Sequence, residues 1–364
     1  MRLSIAPAVL LLAGSVAATD VRAADDPIAL AHKGTAAIEH QRFGDALEAF
    51  TRAATLRPTD PSLCFGAGVA AFMLGQNEVA QDRLERALSI NPAYLPAVAW
   101  LGDLHYRAGR LDEAISIYET ARQHSPIGRK LEEQLAVWRK EQALQSRFHE
   151  VHTDHFTALF EAAGDEPLAR EVVERLEAAY WRVGRTLGVY PSQPITVVLY
   201  TREQFADITK LKAWSAAAYD GRIRLPLGGA LEQRDELDRV LSHEFVHAVV
   251  AMVGGRAVPA WVNEGLATVL ATAVPEEAEA ALAHTGTRPA LAKLHRSFVD
   301  LSRPDAEIAY ASAARAVRHL IEHHGAPVIV ALLEDLARGA PFDRAFHERT
   351  AMRYEDFSAL VARD

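Results

Sequence analysis

The sequence predicts an α+β protein in two parts, an all-α N-terminal solenoid followed by a domain with a small mixed sheet and a mostly helical C-terminal half. Two observations predict the solenoid: a 34-residue period over the first third of the chain, and helical spacing of apolar residues directly after it. The second domain is predicted because short β-branched runs appear only downstream of the repeats. The length of 364 residues also favours more than one hydrophobic core.

Five series of residues carry the period of the first part. They are Gly34, Gly68 and Gly102; Ala46, Ala80 and Ala114; Phe50, Leu84 and Tyr118; Ala53, Ala87 and Ala121; and Pro58, Pro92 and Pro126. Each unit is expected to form two helices, which approach closely at the small residues and end at the proline. The pattern is typical of tetratricopeptide repeats, so residues 27–148 are interpreted as three repeats and a capping helix from Gly128 to Ser146. Residues 149–364 then form the second domain.

The second domain begins with the predicted strands. His149 to Phe160 alternates like a strand, Pro167 to Gly188 has helical spacing, and Ile195 to Tyr200 is a β-branched strand. Tyr219 to Leu227 has the pattern of another strand. From Asp235 onward almost all of the sequence has helical spacing, so the strands are expected to come first and the helices after them.

Composition places the chain among ordinary folded proteins and argues against nucleic acid as a partner. Hydrophobic residues make up 49% and charged residues 24% of the sequence, so a packed core is expected. The formal net charge of -9 indicates no basic surface of the kind that releases counterions from nucleic acid. Cys64 is the single cysteine, which excludes an intramolecular disulfide, and its register in the repeat predicts a core position.

The N-terminus has the features of a secretory signal peptide. Arg2 precedes an apolar run from Ile5 to Val16, and Val21-Arg22-Ala23 fits the small-x-small pattern before a cleavage site. Residues 1–23 are therefore predicted to be a signal peptide, and the protein is expected to be exported to the periplasm or secreted. No stable membrane span is expected after cleavage, since the run is shorter than the roughly 20 residues that cross a bilayer; an uncleaved anchor is the alternative.

The most specific chemical signal is His243-Glu244-Phe245-Val246-His247, within a helical pattern that continues from Leu237 to Val250. Residues four apart lie on one helix face with Cβ atoms about 5–6 Å apart, so both imidazoles can reach the same ion. A catalytic zinc ion uses three protein ligands and keeps a fourth position for water, so a third ligand is required. The alternative is a pair of surface histidines without a metal.

The best candidate for the third ligand is Glu264, in Trp261-Val262-Asn263-Glu264-Gly265-Leu266-Ala267. This segment is apolar apart from its central polar pair and is expected to form a helix that begins near Pro259. Gly254-Gly255 allows the chain to reverse between the two helices, which would bring Glu264 back to the histidines.

The two motifs together resemble those of gluzincin metallopeptidases, specifically the peptidase MA-like domain that follows tetratricopeptide repeats. The resemblance covers residues 150–340 and implies a zincin-like fold, with Zn²⁺ bound by His243, His247 and Glu264. It implies Glu244 as the general base. It also implies that the strand around Arg222 to Leu227 borders the cleft and pairs with an extended substrate.

Two departures from better-known gluzincins concern the surroundings of the ligands. Sixteen residues separate His247 from Glu264, slightly fewer than in the aminopeptidase and thermolysin groups. Thr268 stands where those groups have an acidic residue, so the polar partner of a ligating histidine is unassigned. For a donor to the developing oxyanion, Tyr310 resembles the position of the family's tyrosine, and Tyr219 is the competing candidate.

Three functions are consistent with these patterns. The leading hypothesis is an exported zinc metallopeptidase that hydrolyses peptide bonds with metal-activated water, while the repeats recruit a peptide or protein substrate or a protein partner. The alternative is a tetratricopeptide binding or scaffold protein whose metallopeptidase-like domain is weakly active or inactive. A zinc hydrolase acting on a non-peptide amide or ester is the third. Glu244 favours the enzyme, because an inactive domain has no need of a carboxylate there.

Overall fold

The computed structural model describes most of the chain after the predicted signal peptide. The described residues are 26–209, 217–227, 234–271, 289–299 and 301–363. Residues 1–23 lie outside these ranges. Within them, no helix has both the length and the apolar character that crossing a lipid bilayer requires.

The N-terminal region consists of helix pairs with the predicted period. The helices are α1 (Pro27–Glu39), α2 (Phe43–Leu56), α3 (Pro61–Met73), α4 (Asn77–Ile90), α5 (Leu95–Arg107), α6 (Leu111–His124) and α7 (Arg129–Gln145). The side chains of Asp26 and Asp60 cap α1 and α3 by accepting backbone N–H groups. The second helix of each pair ends two residues before Pro58, Pro92 or Pro126, as the sequence predicts.

The periodic glycines lie against the periodic large side chains. A Cβ atom would come within 3 Å of the partner side chain at Gly34 on Phe50, at Gly68 on Leu84, and at Gly102 on Tyr118. Any other residue at these positions would force the paired helices apart. The 34-residue period therefore encodes the packing within each repeat.

The C-terminal region contains a five-stranded sheet and eight helices in its described part. Its elements are β1 (His149–His152), β2 (Phe156–Phe160), α8 (Glu166–Leu187), β3 (Ile195–Tyr200), α9 (Arg202–Thr209), β4 (Ala218–Tyr219), β5 (Ile223–Pro226), α10 (Arg234–Gly254), α11 (Ala260–Leu270), α12 (Arg303–His324), α13 (Ala326–Ala337), α14 (Phe342–Thr350) and α15 (Tyr354–Arg363). The strand order is β1-β2-β3-β5-β4. The three central strands are parallel and both outer strands are antiparallel to their neighbours, so the sheet is mixed, as predicted.

Two segments predicted as single strands are hairpins. His149 to Phe160 divides into β1 and β2, because Thr153 donates its N–H to the carbonyl of Phe156 and closes a turn. The predicted strand from Tyr219 to Leu227 divides at Gly221, whose φ of 110° places it in the region that favours glycine. As a consequence β4, rather than the segment from Arg222 to Leu227, is the outer strand on that side of the sheet within the described residues.

The repeats pack on the C-terminal region at or next to the turns between their paired helices. Gly44, in the first turn of α2, lies against Gly339, while Gly75 lies against Gly255 and Gly109 against Arg222. The first two are backbone contacts that leave no room for a Cβ atom. The solenoid is therefore packed against the second domain along its length.

A buried group of polar side chains, called here the interface cluster, joins the last repeat and the capping helix to the sheet. It consists of Tyr106, Glu141, Tyr200, Asp220 and Arg224. Glu141 is fully buried and accepts hydrogen bonds from Arg224 at 2.8 Å and from both tyrosine hydroxyls at 2.7 and 3.1 Å. Arg224 also donates to Asp220 at 3.0 Å. These contacts connect α5 and α7 to β3 and β5.

Candidate metal centre

Helix α10 presents both histidines from one side while its other side is packed in the core. Phe245 and Val246 are buried, and the Phe245 ring meets Phe156 of the sheet edge to face at 5.7 Å. This packing fixes the rotation of α10. The imidazoles of His243 and His247 then lie side by side, with ring centroids 4.7 Å apart.

Helix α11 carries Glu264 and is pressed against α12. Its apolar side chains Trp261, Val262 and Leu266 are buried. A Cβ atom at Gly265 would lie 2.4 Å from the carbonyl oxygen of Ala313, so this glycine allows a backbone approach that no other residue permits. The close approach sets the depth of α11 and with it the position of the neighbouring Glu264 carboxylate.

The three predicted ligands converge on one point. One ligand atom from each of His243, His247 and Glu264 lies within 4.8 Å of the others. Glu264 Oε2 is 3.5 Å from Nε2 of His243 and 3.4 Å from Nε2 of His247. Ligands in a tetrahedral zinc site with bonds of 2.0–2.1 Å are about 3.3–3.4 Å apart, so the observed separations suit an ion between the atoms.

The absence of a hydrogen-bond donor at Glu264 Oε2 in the described chain also favours a cation site. Glu264 Oε2 is buried, and in the described part of the chain no donor meets it with hydrogen-bond geometry. Two imidazole nitrogens lie 3.4–3.5 Å from this oxygen, and a metal ion between the three atoms would supply the direct partner that the oxygen lacks. The donor set of two imidazoles and one carboxylate is one that zinc uses in catalytic sites.

Asn263 contacts one of the predicted ligands, a feature that the sequence did not reveal. Its Oδ1 lies 3.0 Å from Nδ1 of His247. Because an amide oxygen only accepts, Nδ1 carries a proton, and Nε2 is the nitrogen that would bind a metal after losing its own proton. Thr268, at the position of the missing acidic residue, donates instead to the carbonyl of Glu264 at 2.7 Å and stays within its own helix.

The pKa values of His247 and Glu264 are shifted mainly because the two side chains lie close together. Burial acts to lower the pKa of His247, but the carboxylates of Glu264 and Glu244 outweigh it and raise this pKa to about 9. Burial acts to raise the pKa of Glu264, yet the charge of His247 and contact with both imidazoles hold it well below its usual range. Metal binding would therefore displace a proton from the imidazole and meet an ionised carboxylate.

Glu244 lies next to the ligands but does not belong to the cluster of ligand atoms. Only 8% of the residue is exposed. Burial raises the pKa of its carboxyl, and the negative charges of Glu264 and Asp220 act in the same direction, while the two histidines oppose them. A raised pKa makes this carboxylate a better proton acceptor than one in water.

The two tyrosines considered as oxyanion donors lie in different places. Tyr310, in the third turn of α12, has its ring centroid 6.3 Å from that of His243 and packs on Phe298 at 5.3 Å. Tyr219 is in β4, where burial raises the pKa of its hydroxyl to about 12. The ring contact with a predicted ligand favours Tyr310.

Comparisons with known proteins concern the repeats. A family model described as Tetratricopeptide repeat matches residues 71–126. Small glutamine-rich tetratricopeptide repeat-containing protein 2 of Mycosarcoma maydis is 29% identical over 105 residues, 29% of this chain and 30% of that protein. BBSome complex member BBS4 of Mus musculus is 38% identical over 86 residues, 24% of this chain and 16% of that protein. The solved structure "First TPR of Spaghetti (RPAP3) bound to HSP90 peptide SRMEEVD" is 22% identical with a TM-score of 0.30, covering 32% of this chain and 95% of that chain.

These matches establish tetratricopeptide repeats in the N-terminal region, as the period predicts. The chain spans less than a third of the length of the curated relatives, 30% of one and 16% of the other. The family match ends at residue 126, before the first predicted metal ligand at 243. The comparisons thus favour the tetratricopeptide binding protein of the alternative interpretation and give no support to the peptidase.

Proposed function

We propose that the chain is an exported zinc metallopeptidase, with export inferred from the N-terminal sequence. The observation that carries the proposal is the buried Oε2 of Glu264, which lies between the Nε2 atoms of His243 and His247 at 3.4–3.5 Å without a hydrogen-bond donor in the described chain. These separations match the distance of about 3.3–3.4 Å between ligand atoms around a tetrahedral zinc ion.

The residues around the cluster have the properties that amide hydrolysis requires. When bound, a zinc ion lowers the pKa of a water molecule to about 7 and polarises a carbonyl group. Glu244 accepts the proton of the attacking water and passes it to the departing amine, a role that its burial and raised pKa favour. Asn263 keeps His247 in the tautomer that can act as a ligand. Tyr310 is assigned as the donor to the developing oxyanion.

A peptide is the favoured substrate because of the sheet beside the site. The outer strand β4 contacts α10, the helix of the histidine pair. An outer strand offers backbone N–H and C=O groups to an extended chain, which can add to the sheet as a further strand. Ala218 and Tyr219 of β4 therefore replace the segment from Arg222 to Leu227 as the expected pairing residues.

The test compares the wild type with Glu244→Gln and Glu264→Gln, measuring bound zinc and hydrolysis of a broad peptide library. Glu244→Gln is expected to keep wild-type zinc content and lose at least about 100-fold in turnover, the usual contribution of a general base. Glu264→Gln is expected to lose zinc as well. Wild type without bound zinc would refute the proposal, and hydrolysis of esters but not peptides would redirect it to a non-peptide substrate.

The second candidate is a tetratricopeptide binding protein with a weakly active or inactive C-terminal domain. It is favoured by the comparisons, which match the repeats. Helical repeats form extended surfaces that bind peptides or helices, so a protein partner is expected under both proposals. Zinc bound to the wild type without hydrolysis of any substrate would favour this candidate over the enzyme.

A further inference from the structure

The connection between the two ligand-bearing helices lies on the second repeat. Helix α10 ends at Gly254 and α11 begins at Ala260, so five residues form the path between them. The histidine pair lies upstream of this path and Glu264 downstream. Any shift of the connection therefore changes the distance between the carboxylate and the imidazoles.

Arg256 makes most of the polar contacts between the connection and the repeat. Its backbone N–H donates to the carbonyl of Met73 at 2.8 Å. Its Nη1 donates to the carbonyl of Phe72 and to Oδ1 of Asn77, both at 2.9 Å. The guanidinium carbon lies 3.9 Å from the centre of the Phe72 ring, which adds a cation–π contact. The end of α3 and the start of α4 thus hold both the backbone and the side chain of Arg256.

Two glycines bring the same two segments into backbone contact. Gly75 has a φ of 77° and Gly255 a φ of 69°, a region that other residues rarely adopt. A Cβ atom at Gly255 would lie 2.5 Å from the carbonyl oxygen of Leu74, and one at Gly75 would lie 2.9 Å from Cα of Gly255. The main chains of the connection and of the repeat turn are therefore in direct contact, because neither glycine has a side chain.

We infer that the second repeat is a structural part of the metal centre, and that Arg256 is a positioning residue that holds the connection where Glu264 meets His243 and His247. The inference rests on the metal site of the proposed function. The side chain of Arg256 is directed to the repeat, so it acts on the ligands through the connection. The repeats accordingly do more than recruit a partner, because one of their turns sets the geometry of the cluster.

The experiment uses the full chain and compares Arg256→Ala with Gln76→Ala. Gln76 belongs to the same repeat turn, but its side chain donates to the carbonyl of Ala337 on α13 at 3.4 Å rather than to the connection. Zinc affinity is measured by competition with a chromophoric chelator, and ligand geometry by the visible spectrum of the cobalt-substituted protein. Arg256→Ala is expected to bind zinc about tenfold more weakly, as loss of a ligand-orienting contact does, with an altered cobalt spectrum. Gln76→Ala is expected to match the wild type in both.

A third variant keeps the inference testable if Arg256→Ala does not fold. Asn77→Ala removes one hydrogen bond to Arg256 from the repeat side and is expected to weaken zinc binding in the same direction but less. Circular dichroism reports whether each variant is folded. A folded Arg256→Ala with wild-type affinity and spectrum would overturn the inference; if that variant does not fold, wild-type behaviour of Asn77→Ala would overturn it. Absence of metal binding in the wild type would instead refute the proposed function, and the inference with it.

Discussion

Two buried groups of charged side chains in this protein differ in whether their hydrogen bonds are complete. In the interface cluster, both oxygens of Glu141 accept hydrogen bonds, and the guanidinium of Arg224 donates to Glu141, Asp220 and two tyrosine hydroxyls. In the candidate metal centre, Glu264 Oε2 lies near two imidazole nitrogens, yet in the described chain no donor meets it with hydrogen-bond geometry.

The difference indicates what each group does. A buried charge whose partners are all supplied by the chain has no need of a further ligand, so the interface cluster is expected to hold the repeats on the sheet. The carboxylate of Glu264 is stabilised by the charge of His247, but its Oε2 keeps room for a cation between the two imidazoles. Burial of charge alone does not distinguish a structural contact from a functional site, and neither does a single unpaired atom, because Arg222 Nη1, 3.6 Å from Glu141, is also buried without a hydrogen bond in the described chain. What distinguishes the candidate metal centre is that two imidazoles and one carboxylate converge on one point.

The largest expected effect is on the interface cluster. Glu141→Ala leaves Arg224 buried with fewer partners, and is expected to lower the free energy of unfolding by about 3–5 kcal/mol while leaving zinc affinity little changed. Chemical denaturation measures the stability. Glu119→Ala is the matched control, since its pair with Arg139 is more than a third exposed on both sides and is expected to contribute at most about 1 kcal/mol. Equal effects of the two variants would contradict the structural role of the cluster.

Zinc bound at the candidate metal centre is expected to stabilise the folded protein. Zinc at 100 times its dissociation constant should raise the free energy of unfolding by about 2.7 kcal/mol, because a ligand that binds only the folded chain stabilises it. Glu264→Ala should remove this gain, whereas Glu141→Ala should retain it, if it remains folded. Thermal denaturation with and without zinc, after treatment with a chelator, measures both. A zinc-dependent shift that survives in Glu264→Ala would place the binding site elsewhere.

The contrast between the two groups also explains which features the sequence predicts. The repeats and the histidine pair are encoded by spacing within single helices or neighbouring helices, so the period of 34 and the four-residue separation are sufficient. The interface cluster depends on contacts between residues far apart in the sequence. Glu141 lies in an ordinary charged helical stretch, and nothing local marks it as fully buried.

Features of the second domain were mispredicted or missed where they depend on contacts that the local sequence does not show. The turn between β1 and β2 contains neither glycine nor proline, so the alternation of His149 to Phe160 predicts one strand instead of a hairpin. Asn263 lies beside the predicted ligand Glu264, but its contact with His247 depends on how the connection turns. That path is set by the second repeat, which no pattern in the connection itself reveals.

The smallest expected effect concerns the polar residues around the candidate metal centre. Asn263→Ala removes the acceptor that holds the His247 tautomer, and is expected to weaken zinc binding by about tenfold, or about 1.4 kcal/mol. Thr268→Ala is the matched control: its hydroxyl donates to a carbonyl of its own helix, so zinc affinity should stay at the wild-type value. Competition with a chelator measures both affinities. If Thr268→Ala weakened binding as much as Asn263→Ala, general loosening of α11 would explain the loss, and the partner of His247 would have to be sought elsewhere.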